Sequence, residues 1–404
     1  MPTEQESTTP STTTATTDRV TFTAAELLAD HDYAEPLIAD GVRCHGGFDE
    51  HGAYVSPRTR VRVPAIEAWD AKRLAETGTP KLDVPDDAWP ANFPNPDQSL
   101  LLIRRGVTEP TVSALTRIGT VEGFGGMLRL LTVPDFSRLF DEGIEGTATA
   151  HIGSGLFEAH ARDEAGWGEQ AGHDRMWFAA RDIAFERPVT EDQTARMLER
   201  MGLAAAATAA PAPGTPAAHD RIAEMRRQAE AARVLPTDIP IEVELLLQRM
   251  IGLLFIEIAA FHGFRWAEAV LSDTDAVAGD GEAARIVSYI RADETPHVGY
   301  LLTALSEMRD RTWVGATGTR YPGTEMVGAV WRRALEQSMV ARRADNVRLV
   351  LSEVRHALEG RPDADDLLDE MLALGDVRVL PDGEIVDERP PTEDRLGHLV
   401  DAFR

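Results

Sequence analysis

A glutamate and a histidine three residues apart, Glu294 and His297, stand in the stretch RADETPHVGYL at 291–301, with Pro296 between them. At about 100° per residue they share a helix face with Val287, Ile290, Leu301, Leu305 and Met308. That face is mainly apolar, so the carboxylate and the imidazole point into a core. Charge there is costly unless it is paired or bound to metal. The preceding apolar stretch, IGLLFIEIAAFHGF at 251–264, holds a single acid, Glu257, on a face with Leu246, Met250, Leu253, Phe261 and Phe264. A loop near 272–280 makes the two helices antiparallel neighbours. Glu257 lies about 19 residues before the loop's middle and Glu294 about 18 after it, so at a rise of ~1.5 Å per residue they reach nearly the same height. With no evident Lys or Arg for the second carboxylate, the two acids repel. A divalent ion removes the conflict, and carboxylate with imidazole suits iron, manganese or zinc. A buried ion pair with protonated His297 is the plainer alternative. Pro296 removes the hydrogen bond to the Ala292 carbonyl and predicts a kink beside the site.

A Glu on one helix, followed by Glu-x-x-His (ETPH, 294–297) on its antiparallel neighbour, resembles half of the ferritin-like di-iron carboxylate site. In that family a second helix pair supplies the other half. The resemblance covers about residues 111–310. Glu122 and Glu158 are spaced almost as Glu257 and Glu294 are, which suits a pseudo-symmetric bundle. Position 161, where the family would place a His, is Ala161. His160 lies about 200° around from Glu158 and faces away from it on a regular helix. His151 shares the face of Glu158 but lies two turns earlier. The stretch EQAGH, 169–173, offers a second candidate, because Glu169 and His173 at i and i+4 can share a metal. His173 itself lies beside Met176, Trp177 and Ala180. On one straight helix Glu158 and His173 are ~22 Å apart, and a break at Gly166-Trp167-Gly168 would change that. Both candidates stay open, and with them the number of metals.

These residues need long helices. Helices are predicted from 111 to Pro134, over 151–186 with a break near Gly166 and Gly168, over 241–271, over 281–310 and from about 325 to 358. Residues 20–110 read as mixed: a short helix in VTFTAAELLADH, a hairpin or irregular strands in FDEHGAYVSPRTRVRVPAI, then a Pro- and Asp-rich loop. Residues 1–19 read as a disordered polar tail, 204–220 as an Ala/Pro linker, and VRVLPDGEIVDE as a small hairpin. The expected fold is mainly α: a ferritin-like four-helix bundle over 111–313, a mixed N-terminal segment, and a helical extension over 314–404.

The 404 residues carry a net charge of −26, which argues against nucleic acid or an anionic membrane as a partner. One cysteine, Cys44, allows no internal disulfide and suits a reducing cytoplasm. No apolar run is long enough for a signal peptide or a membrane span. His262 lies opposite Glu257 and reads as structural. Cys44, His45 and His51 make no zinc motif, and no P-loop, dinucleotide fingerprint or nucleophile elbow occurs.

The resemblance implies two irons, with manganese or zinc as alternatives. It implies dioxygen activation for oxidation of a small organic substrate, an electron donor as a further partner, and a homodimer as one assembly. Metal candidates are Glu257, Glu294, His297, Glu158, His173, Glu122 and Glu169. Phe261, Phe264, Trp177 and Met250 are candidates for an apolar pocket. Two other readings stand beside this one: a ferritin-like binding or structural protein without turnover, and a zinc-dependent hydrolase.

Overall fold

The computed structural model describes residues 19–84, 89, 92–185, 190–200, 216–380, 385–387 and 403. The chain is mainly helical, as expected. It opens with a short helix α1 (Ala24–Leu27), a three-stranded antiparallel sheet and helix α2 (Thr59–Thr77). The strands are β1 (Glu35–Ala39), β2 (Val42–Phe48) and β3 (Tyr54–Val55). The β1–β2 turn at Asp40-Gly41 has positive φ at both residues, 46° and 75°, the twist that a two-residue hairpin needs. The expected irregular strand over RTRVRVPAI is instead the start of α2. Its short alternation yields to a longer helical pattern, because the buried residues Arg62, Ala65, Ile66, Trp69 and Arg73 recur at helical spacing.

Next come α3 (Pro96–Arg104), α4 (Glu109–Gly125) with a 3-10 turn at Gly126–Leu130, and α5 (Ala148–His151). A π-turn at Ile152–Leu156 leads into α6 (Phe157–Ala165), and α7 (His173–Phe185) follows. The break expected near Gly166 and Gly168 is thus present: both glycines have positive φ, and the loop they open separates α6 from α7. Helix α8 (Glu191–Arg200) is followed by α9 (Pro216–Ala231); of the Ala/Pro linker expected over 204–220, residues 204–215 fall outside the described residues, and 216–220 are instead the first residues of α9. The N-terminal tail expected over 1–19 falls outside them as far as residue 18.

Helix α10 (Ile241–Leu271) has the bounds expected of it. The next predicted helix is two: α11 (Glu282–Asp293) and α12 (Thr295–Arg309), with Glu294 at the junction and Pro296 in the first turn of α12. The kink that Pro296 predicts is this junction. The hairpin β4 (Thr312–Val314) and β5 (Arg320–Pro322) leads to α13 (Gly323–Leu335), a π-turn, α14 (Arg342–Leu358) and α15 (Ala364–Ala373). Strands β6 (Val377–Val379) and β7 (Ile385–Asp387) pair as the expected terminal hairpin.

Helices α4, α6, α7, α10, α11 and α12 surround the site. Helix α4 packs on α6 and α7, α7 on α11, and α10 on α11 and α12. One core packs α7 against α10 and α11 through Trp177, Phe264, Val287 and Ile290. A second joins the N-terminal Phe22, Leu27 and Trp69 to Met250, Tyr300 and Leu305. A third seats α14 and α15 on α3 through Leu102, Val354 and Met371. No described helix is long and apolar enough to cross a membrane.

Candidate metal centre

Glu122 comes from α4, Glu164 and His160 from α6, His173 from the start of α7, Glu257 from α10, Glu294 from the α11–α12 junction and His297 from α12. Their ligating atoms form two overlapping groups. One is His160, Glu164, Glu257 and His297; the other is Glu122, Glu164, His173 and Glu294. Within each group the atoms lie within 4.8 Å of one another. Glu164 Oε1 is 3.4 Å from His160 Nε2, 3.4 Å from His173 Nδ1 and 3.2 Å from His297 Nδ1. Glu294 reaches His173 Nδ1 with Oε1 at 2.8 Å and His297 Nδ1 with Oε2 at 2.5 Å. His160 Nε2 lies 3.1 Å from Glu257 Oε1. All are buried except Glu122, which is half-buried.

Several of these contacts are close but badly aimed for hydrogen bonds. Glu164 Oε1, Glu294 Oε1, His160 Nε2 and His173 Nδ1 are buried without a hydrogen-bond partner. The chain's structural glutamates behave differently. Glu244 accepts from the Val234 and Leu235 N–H groups, and Glu307 accepts from those of Ala148 and Thr149. Buried polar atoms are rarely left unpaired. Four orphaned donor atoms converging on one volume are what a metal ion requires, and this donor set fits a divalent ion.

The histidines are held from behind. His297 Nε2 is 2.9 Å from Asp163 Oδ2, His173 Nε2 is 3.4 Å from Asp293 Oδ2, and His160 Nδ1 is 3.0 Å from the Tyr300 hydroxyl. With the outer nitrogen donating to an oxygen, the inner nitrogen keeps a lone pair for a metal. Asp163 is gripped in turn by Arg58 and by Arg62, whose Nη1 lies 2.7 Å away. Asp293 accepts a 2.8 Å hydrogen bond from the Tyr54 hydroxyl and lies 3.3 Å from His45 Nε2.

These surroundings set the protonation of the metal-free site. Burial, reinforced by neighbouring carboxylates, holds the Glu164 and Glu294 carboxyls well above the usual range, and burial also raises Glu122. Burial opposes charge on His173, but Glu294 and Glu164 outweigh it and hold its imidazole well above the usual value. His297 is pushed well below its usual value by burial and by His160, whose ring stacks on it at 3.7 Å. Asp163 stays well below the carboxylate range, because Arg58 and Arg62 outweigh its burial.

Of the residues singled out from the sequence, Glu257, Glu294, His297, Glu122 and His173 meet here. Glu158 does not. It turns outward to Arg162 at 2.7 Å and Arg129 at 4.0 Å. Glu169 is exposed in the α6–α7 loop and does not share a helix with His173. The reason lies in the helical angle: with Glu158 on the outer face, His160 about 200° around must face inward, and Glu164 follows one turn after His160. Taking Glu158 as the inward reference sets His160 aside by the same angle and leaves Glu164 out of the ligand set. Of the pocket candidates, Trp177 stacks on Phe264 at 5.6 Å, Met250 is buried, and Phe261 is half-buried one turn beyond Glu257. His262 pairs with Arg265 on the outer face of α10.

The N-terminal segment supplies what its sequence did not reveal: His45, Tyr54, Arg58 and Arg62. Its strand β2 pairs with the α6–α7 loop, where His45 N–H donates to the Ala171 carbonyl at 2.9 Å. Arg58 caps α2 with a positive φ of 54°, uncommon for a side-chain-bearing residue, and reaches Asp163 from there. Comparison with family models, with curated proteins and with solved structures finds no match.

Proposed function

We propose that this chain is a dinuclear metal-dependent oxidase or oxygenase of the ferritin-like di-iron type, acting on a small organic substrate. The observation that carries the proposal is the set of orphaned, buried carboxylate and imidazole atoms converging from several helices. Charge favours two ions over one. Glu122, Glu164, Glu257, Glu294, Asp163 and Asp293 bring six carboxylates together, and the guanidiniums in contact with them are those of Arg58 and Arg62. Four negative charges remain when all six are ionised, which two divalent cations neutralise.

Glu257, His160 and His297 would hold one ion, Glu122 and His173 the other, with Glu164 and Glu294 between them. Two irons, when bound, supply the electrons and open coordination positions that dioxygen activation needs. The chain's own part is to orient the ligands and limit water. Asp163, Asp293 and Tyr300 fix the imidazole rings. Phe261, Leu253 and Ala260, half-buried one turn to either side of Glu257 on α10, are the apolar side chains past which an apolar substrate would approach.

Elemental analysis of protein purified without a metal-binding tag, beside a Glu294→Ala variant, tests the proposal. The expected result is about two irons per chain, lost in the variant, with oxygen consumed when iron(II) is added. One zinc and no oxygen uptake would point to a hydrolase. No metal, with both proteins equally stable, would leave a buried polar cluster and end the enzyme reading.

A further inference from the structure

The two halves of the centre differ in chemistry. The first half, on α6, α10 and α12, has two imidazoles, His160 and His297, and one carboxylate of its own, Glu257. The second half, on α4 and α7, has one imidazole, His173, and its own carboxylate, Glu122. Glu164 and Glu294 lie close to both.

The flanking charges differ in the same sense. Behind His297, Asp163 is neutralised by Arg58 and Arg62. Behind His173, the described side chains that Asp293 meets besides His173 itself carry no fixed charge: Tyr54 at 2.8 Å and His45 at 3.3 Å. Apart from the shared carboxylates, the first half sums to about neutral, since the charges of Glu257 and Asp163 are matched in number by the two guanidiniums, both of which sit on Asp163. The second keeps the charges of Glu122 and Asp293 without a guanidinium.

Imidazole-rich sites suit iron, nickel, copper and zinc, whereas harder, carboxylate-rich sites accept manganese. Resting on the dinuclear reading, we infer that the two positions select different ions: the His160/His297/Glu257 position takes iron, and the Glu122/His173 position takes manganese when iron is limiting. Iron(II) binds N/O sites more tightly than manganese(II) in general, so excess iron fills both positions and hides the difference. The preference is legible only under competition.

The test is anaerobic loading of the metal-free, full-length protein with one equivalent of iron(II) and several of manganese(II). Metal content is measured after desalting, and each ion is located by anomalous diffraction at the iron and manganese edges. The expected result is about one iron and one manganese per chain, with iron at His160/His297 and manganese at Glu122/His173. Two conservative variants report separately. His160→Gln is expected to lose most of the iron retained under these conditions and keep manganese, and Glu122→Gln the reverse. Iron and manganese scrambled over both positions, or both variants losing the two metals equally, would overturn the inference while leaving a dinuclear centre. Failure to bind either ion would overturn the dinuclear reading as well.

Discussion

Replacing Asp163 with asparagine keeps the side chain's volume and removes its charge. Asp163 is fully buried, and its carboxylate meets Arg58, Arg62 and His297. In the variant two buried guanidiniums lose their counter-ion, and breaking a buried pair from one side costs about 3–5 kcal/mol. For a chain of this size roughly 2 °C of melting temperature follows each kcal/mol, so the metal-free variant is expected to melt about 6–10 °C lower. His297 keeps an oxygen acceptor in the new amide, but the uncompensated cations stand behind a metal ligand. Metal affinity is therefore expected to fall by about ten- to a hundredfold, the usual effect of losing an outer partner of a ligating histidine. Differential scanning calorimetry of metal-free protein and a competitive chelator titration read the two effects separately. An Asp32→Asn control removes a nearby carboxylate charge that is solvent-exposed and pairs with Arg60 at 3.7 Å, and is expected to leave melting and metal affinity at the wild-type values. An Asp163→Asn variant with wild-type melting and wild-type metal affinity would refute both the charge clamp and the alignment of His297 through it.

Three further outcomes follow from particular side chains. The raised carboxyls of Glu164 and Glu294 and the raised His173 hold protons in the folded, metal-free site, so their stability contribution is present at low pH and is lost as pH rises through their folded values. Metal-free protein should lose stability from pH 5 toward pH 8 at these groups, and metal binding should release protons, measurable by titration calorimetry in buffers of different ionisation enthalpy. Glu158→Ala removes an outward pair with Arg162 and is expected to cost under about 1 kcal/mol with metal content unchanged; loss of metal would return Glu158 to the ligand set. Burial pushes the Cys44 thiol up to about 11, so iodoacetamide at pH 8 should leave the folded protein unmodified and label it only after denaturation.

What the sequence disclosed follows from how far each signal reaches. Glu257, Glu294 and His297 lie on long, strongly periodic helices, where a polar residue on an apolar face is conspicuous, and Pro296 marked the junction that places Glu294 between two helices. The other half is carried by α6, only nine residues long, between a π-turn and a glycine loop. Neither break leaves a periodic trace long enough to fix which face is inward, so Glu158 and His160 were interchangeable until tertiary packing chose between them. Gly125 shows how non-local that choice is. A Cβ there would collide with the side chain of Glu164, so the glycine on α4 is what lets the Glu164 carboxylate reach the centre. Arg58 and Arg62 act over still longer separations, since their chemistry depends on Asp163 more than a hundred positions away. That separation explains the apparent conflict in the sequence, two core carboxylates without cations. The cations exist, but they serve Asp163 and leave Glu122, Glu164, Glu257 and Glu294 unserved. A clamp that neutralises the outer carboxylate and spares the inner ones keeps the site anionic toward a metal while fixing the ring that would bind it.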